Sequence, residues 1–193
     1  GGTISGSTRH SRRGWPRAQS YPLHRPRTDV VDALAFAAIA AACAPLVDTG
    51  TATALVAVES SHNQHAIGVV GGALQRQPRS HAEALATAAA LQAAGLNFSV
   101  GLAQINLRNL APLGLTIEQA FDPCANLTAM QRLLGDCFER SRAVEPRAQT
   151  ALRQALSCYY SGNFVTGFRD GYVRRVLHAA SLSTATRTVP RSL

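Results

Sequence analysis

Helix start and stop signals cut this chain into short segments, and that punctuation limits the fold more than any other feature of the sequence. Asp122-Pro123 sets an N-cap acid before a proline, whose fixed φ and missing amide suit the first helical position. Ser80 and Glu83 have capping-box spacing, as do Thr116 and Gln119. Pro45 stops a helix over 29–44, and Gly95 stops one over 80–94. Ser161-Gly162-Asn163 breaks a helix that opens at Pro146 and reaches Tyr159. Further helices are predicted over 51–61, with Thr51 or Thr53 as cap, from Thr116, over 122–142 and over 165–180. Residues 66–79, with Gly68, Gly71, Gly72 and Pro78, read as a loop, and 96–106 as a short mixed segment. No stretch shows the alternation of a strand, and no segment repeats. The expectation is an all-α fold of short helices around one core.

The ends of the chain differ from its body. Residues 1–28 are rich in Gly, Ser, Pro and Arg and contain no acid, which predicts a flexible basic arm. Residues 183–193 read as a second flexible tail, leaving 29–182 as the folded domain. The net charge of +8 resides in these ends, because the body carries equal numbers of Arg and acidic residues. A neutral body argues against a nucleic-acid-binding fold, which needs many phosphate contacts.

The most apolar run, Ala33 to Leu46, is too short to span a bilayer, so no transmembrane segment is expected. It shares some features of a signal-peptide core, but Asp29 and Asp32 at its entrance favour a first buried helix. Cys43, Cys124, Cys137 and Cys158 form an even set with no CxxC pair. That spacing weakens a zinc reading and leaves free buried thiols or disulfides of any pairing open.

Few acids are available for chemistry, and most have an ordinary explanation. Asp29, Asp32, Asp122, Glu83 and Glu118 sit in first turns, where the helix dipole favours them. Asp136, Glu139 and Glu145 flank arginines on a solvated face, and Asp48 and Asp170 lie near turns or helix starts. Glu59, in LVAVESSHNQHAIG, lies at the C-terminal end of its helix beside apolar neighbours. The dipole and burial there both favour its protonated form. Two further clusters are polar in a specific way. Gly101-Leu102-Ala103-Gln104-Ile105-Asn106 offers two amides after a glycine, able to donate to and accept from sugar hydroxyl and acetamido groups. Cys158-Tyr159-Tyr160-Ser161-Gly162-Asn163 places two aromatic rings at a helix end, and Tyr172 adds a third; such rings stack on sugar faces. His62 and His65 are a weak metal pair without a third ligand, so neither metal nor cofactor is expected.

Taken in order, AVESSHNQHAIGVVGG, LQRQPRSHAEALATAAALQAAG, NFSVGLAQIN, FDPCANL, ALSCYYSGN and GYVRRV resemble the lytic transglycosylases with a goose-type-lysozyme-like (SLT) domain. The resemblance is closer to the VirB-associated transglycosylases of type IV secretion systems, and it runs over about 33–178. It implies a lysozyme-like helical domain with a glycan-binding cleft, and a longer segment between the first two motifs that forms an extra helix beside the cleft. It implies Glu59 as catalytic acid/base, with Ser60 completing the E-S pair. Substrate contacts fall to Ser99, Gly101, Gln104, Asn106, Tyr159 and Tyr172. The generic family has Asn where this chain has Tyr160, and Asn163 is expected to take over that polar role. The implied reaction cleaves peptidoglycan glycan strands to a 1,6-anhydro end, in the periplasm of a Gram-negative bacterium, with secretion-system components as partners. A water-using lysozyme and a non-catalytic peptidoglycan-binding scaffold are the alternatives.

Overall fold

The computed structural model describes residues 33–187, and the side chains within 35–182. The expected N-terminal arm, the helix start at Asp29 and Asp32, and the side chains of the expected C-terminal tail lie outside the described residues.

Nine helices and three short strands are present among the described residues. They are α1 (Ala33–Cys43), α2 (Thr49–Ser60), β1 (Ile67–Val69), α3 (His81–Ala93), β2 (Phe98–Val100), β3 (Ile105–Asn106), α4 (Leu107–Leu113), α5 (Ile117–Ala120), α6 (Pro123–Arg142), α7 (Ala148–Ser161), α8 (Thr166–Arg169) and α9 (Tyr172–Arg187). The helix punctuation acts largely as read. Asp122 accepts from the Ala125 amide at 2.8 Å with Pro123 at the first position, and Thr116 and Gln119 form a reciprocal capping box. Three details differ. α2 is capped by Asp48, which accepts from the Thr51 amide, rather than by Thr51 or Thr53. At α3, Ser80 accepts from the Glu83 amide, but the Glu83 carboxylate reaches the amide of Arg79. The helix expected over 165–180 is two, α8 and α9, because Gly171 turns the chain with φ 72°.

The all-α expectation is corrected by the small antiparallel sheet, in the order β1-β2-β3. Ile67 faces Val100, Gly68 faces Ser99, and Ser99 in turn faces Asn106. Two- and three-residue strands are too short to show alternation, so the sequence read them as loop and mixed segment. The outer edge of β1 is closed by a side chain: Gln77 accepts from the Ile67 amide at 2.8 Å and donates to the Ile67 carbonyl at 3.0 Å. α4 was not anticipated; Pro112 inside it hides its helical character.

α2 lies at the centre of the helical packing, between α1 and α9, while α6 runs against α7. Leu55 and Val56 of α2 are fully buried with Phe36, Phe98, Leu127 and Met130. Each such side chain contributes about 1.5–3 kcal/mol by leaving water. Two disulfides tie the frame: Cys43–Cys124 joins the end of α1 to the start of α6, and Cys137–Cys158 joins α6 to α7. Free thiols, left open by the sequence, are absent among the described residues. The first bridge closes a loop with a sequence separation of 81, the second one of 21. Chain entropy gives bridges of these spans about 4.5 and about 3.4 kcal/mol.

Candidate active site

α2 carries Glu59 into the site. The helix ends at Ser61, with φ 53°, and His62 follows at φ 63°, so two successive left-handed residues turn the chain away immediately after the Glu59-Ser60 pair. Glu59 is half-buried. Tyr172, at the start of α9 and 2% exposed, donates its phenol to Glu59 Oε1 at 2.5 Å. Among the described residues the hydrogen bond to Glu59 runs to Oε1 and not to Oε2. Burial pushes the Glu59 carboxyl up from 4.5 to about 7, and the Tyr172 hydrogen bond and the Arg175 charge hold it from going higher. Burial and the nearby Glu59 charge raise the Tyr172 phenol well above its usual range, which keeps it a donor. Two groups lie against the Tyr172 ring: Tyr160 stacks on it at 4.6 Å with a 15° interplanar angle, and the Arg175 guanidinium lies 5.8 Å from its centroid. In Tyr172→Phe the Glu59 carboxyl is expected to titrate at higher pH than in wild type. Carbon-detected NMR of the side-chain carboxyl measures this directly, and a midpoint that stays put or falls contradicts it.

The sheet and the turn after it bring the amides. Asn106 donates to Ser99 Oγ at 3.2 Å across the β2–β3 pair, and its own carbonyl oxygen caps α4 by accepting from the Arg108 amide at 3.1 Å. Between the strands Gly101 takes φ 79° and Gln104 takes φ 51°. Gln104 is held in that left-handed conformation by its own carboxamide, which donates to the carbonyls of Ala66 at 3.0 Å and Gly101 at 2.9 Å. Gly68 makes room for it, since a Cβ there would sit 2.6 Å from Gln104 Oε1. Underneath lies Asn126 of α6, fully buried. It accepts from the Ala103 amide at 2.8 Å and donates to the carbonyls of Val100 at 3.0 Å and Ala120 at 2.7 Å. Tyr159 of α7 closes the arrangement by donating to the Ala103 carbonyl at 2.6 Å, and burial with the Glu59 charge raises its phenol pKa.

These parts enclose a groove of about 630 Å³. Six of the residues singled out in the sequence line it together: Glu59, Ser99, Gln104, Asn106, Tyr159 and Tyr160. The other four serve behind or beside it. Tyr172 is packed beneath Tyr160 and grips Glu59. Gly101 is buried against Asn126. Ser60 bonds back to the Val56 carbonyl at 3.3 Å, within its own helix. Asn163 folds its carboxamide onto the amides of Val165 and Thr166 at 3.0 and 2.8 Å, so the polar role expected of it in the site goes instead to shaping the turn before α8. The expected extra helix is present as α3, but it packs on α5 and contributes no residue to the groove; Val69 and Val70, at the end of the first motif, do. The sequence did not point to Asn126, to Arg175 or to Gly68. Asn126 sits at a buried position of an otherwise amphipathic helix, and that polar residue on an apolar face was the available signal. Among the described residues no group of three or more His, Cys, Asp and Glu could hold a metal, and no helix is long and apolar enough to cross a membrane. The His62 ring lies edge-on to Phe36 at 4.7 Å, and burial lowers its pKa.

A half-buried carboxyl at a helix end, facing a groove floored by amides and walled by tyrosines, is the arrangement of a lysozyme-like protein, and comparison with known families agrees. The transglycosylase SLT domain model matches residues 36–175, and the chain belongs to that family, with its lysozyme-like, mostly helical fold. It is 48% identical over 155 residues to the type IV secretion system protein virB1 of Brucella suis biovar 1 (strain 1330), and equally to that of Brucella melitensis biotype 1. It is 38% identical over 147 residues to the protein virB1 of Agrobacterium tumefaciens (strain 15955). The Brucella match covers 77% of this chain and 65% of the relative, and the Agrobacterium match covers 75% and 60%. No solved structure matches the chain significantly.

Proposed function

We propose that the protein is a peptidoglycan lytic transglycosylase, which cleaves the β-1,4 bond between N-acetylmuramic acid and N-acetylglucosamine and leaves a 1,6-anhydro end. The observation that carries this reading is a single uncommitted carboxyl group in the groove. Glycoside cleavage ordinarily uses two carboxylates. Here the other acid lining the groove, Asp136, is bound to Arg140 at 3.0 Å and is well exposed. Burial holds the Glu59 proton up to about pH 7.

One acid suffices when the sugar supplies the second partner. Glu59 donates its proton to the glycosidic oxygen as the C1–O bond breaks, and the leaving sugar departs with a free hydroxyl. The acetamido oxygen of the muramic acid stabilises the developing charge at C1. The Glu59 carboxylate then removes the proton from the same sugar's C6 hydroxyl, whose oxygen closes onto C1. Glu59 ends the cycle protonated, and no water is consumed. Tyr172 on Oε1 fixes the carboxyl and leaves Oε2 to work in both steps. Gln104, Asn106 and Ser99 are placed to hold the polar groups of the glycan, and Tyr159 and Tyr160 its ring faces.

The printed name of the Brucella relatives, type IV secretion system protein virB1, supports a role for this activity in type IV secretion, where opening the cell wall locally makes room for an envelope-spanning assembly. Peptidoglycan as substrate sets the protein in the periplasm, and the two disulfides agree with an oxidising compartment. Mass spectrometry of products from purified peptidoglycan tests the chemistry. Anhydromuramyl ends are expected. Reducing ends would make the protein a water-using lysozyme, and intact strands with bound protein would make it a scaffold.

A further inference from the structure

One wall of the groove contains a covalent bond that the cleavage chemistry does not use. Cys137 of α6 and Cys158 of α7 both line the groove, and they are joined to each other. The Cys43–Cys124 bridge lies outside it. Arg140 lines the same wall. Its Nε pairs with Asp136 at 3.0 Å, and the other edge of the guanidinium meets the bridge: Nη2 donates to Cys158 Sγ at 2.8 Å and to Cys137 Sγ at 3.4 Å. The remaining charged groups lining the groove are Glu59 and Arg108. A disulfide sulfur is neutral and a weak acceptor, so the guanidinium gains little from it. A thiolate in the same place is a full negative charge at hydrogen-bonding distance, which an adjacent arginine stabilises strongly. The contact therefore favours the reduced form of this bridge over its oxidised form.

We propose that the Cys137–Cys158 bridge is a thiol-exchange site opening onto the groove, at which a dithiol reductant attacks Cys137 and Arg140 stabilises the departing Cys158 thiolate. The reductant loses one thiol proton to solvent, and its thiolate attacks Cys137 Sγ. A mixed disulfide forms as the bond between the two protein sulfurs breaks, and Cys158 Sγ leaves with the electron pair, facing Arg140. The second thiol of the reductant, deprotonated in turn, attacks its own sulfur in the mixed disulfide. Cys137 is released and takes up a proton, and the reductant ends as a disulfide, oxidised by two electrons. Exchange is faster when the leaving thiol is more acidic, which is the property Arg140 confers. Cys158 directly precedes Tyr159 and Tyr160, so cutting the bond frees from α6 the turn of α7 that carries both rings into the groove. None of this rests on which glycan bond the protein cleaves.

The test uses dithiothreitol as the dithiol, with timed alkylation and mass spectrometry to follow each bridge separately in the folded protein. In Arg140→Gln the rate of reduction of Cys137–Cys158 is expected to fall by about fivefold, with Cys43–Cys124 unchanged as the internal reference. Arg140→Lys, which keeps the charge, is expected to recover part of the rate. An unchanged or faster reduction of Cys137–Cys158 in Arg140→Gln overturns the proposal; the faster rate is what mere loosening of the helices would give. A second measurement reads the thiolate itself. Cys137→Ser leaves Cys158 as a free thiol, and its alkylation by iodoacetamide is expected to show a midpoint below about 8.5, the value of an ordinary cysteine. Adding Arg140→Gln is expected to move that midpoint up. A midpoint that does not move, or one already at the ordinary value with Arg140 present, overturns the role of the arginine.

Discussion

Glu59→Gln is expected to abolish turnover on purified peptidoglycan while leaving the fold intact. Acid/base assistance by one positioned carboxyl is worth about 10²–10⁴ in rate. Gln keeps the size and the acceptor that Tyr172 binds, and it removes only the transferable proton. The same variant makes a second, independent prediction about stability. The folded protein holds the Glu59 proton to about pH 7, against 4.5 for an ordinary glutamate. Its contribution to stability is therefore fully present below about 4.5 and is lost as pH rises through about 7. The difference amounts to about 3 kcal/mol at most. Glu59→Gln does not titrate, so its stability relative to wild type is expected to rise between pH 5 and 8. Urea unfolding at both pH values measures this. Turnover within threefold of wild type would end the catalytic assignment. A stability difference that does not change with pH would end the account of why the carboxyl holds its proton.

Asn126→Ala is expected to give the largest loss of stability among single substitutions at the site. The carboxamide is fully buried and serves three backbone groups at once. Truncation strands the Ala103 amide and the carbonyls of Val100 and Ala120 without partners. Each stranded buried group costs about 1–3 kcal/mol, so a total of about 3–5 kcal/mol follows after partial relaxation. The melting temperature of a domain this size should fall by about 10 °C. Asn126→Asp separates the two halves of the interaction, because a carboxylate still accepts from Ala103 but cannot donate to the two carbonyls. It is expected to be nearly as damaging as Ala. A melting temperature within 2 °C of wild type for Asn126→Ala would show that the turn holds itself. Gly101→Ala attacks the same contact from the other side. A Cβ there would lie 2.2 Å from Asn126 Nδ2, on a backbone with φ 79°.

The parts of this molecule legible in the sequence are those governed by neighbours in the chain. The caps at Asp122 and Thr116 and the stop at Gly95 act within a few residues, and the helices they bound are where the spacing puts them. Glu59 stood out because its helix-end position is a local property, and the burial that raises its pKa agrees with its apolar neighbours. The sheet was hidden because each strand has only two or three residues, and the pairing of β1 with β2 joins residues as distant in the chain as Ile67 and Val100. Asn126 was hidden for the same reason. Nothing near it in the chain says that its carboxamide will sit under the turn at 101–104. Asn163 shows a different limit: the sequence does not say that the oxygen of a polar side chain in a suggestive motif will accept from the amides of its own turn.

The glutamine clasp on the first strand has a consequence for how this domain can meet other chains. Antiparallel pairing to β2 leaves the amide and carbonyl of Ile67 directed outward, and an unpaired strand edge is a template for a strand from another molecule. Gln77 already fills both positions, as a peptide group borrowed from the loop. A partner's strand would have to evict it before adding to the sheet. Assembly by strand addition is thereby discouraged at this edge, and the sheet beside the groove is free to remain a small, finished platform rather than a nucleus for aggregation.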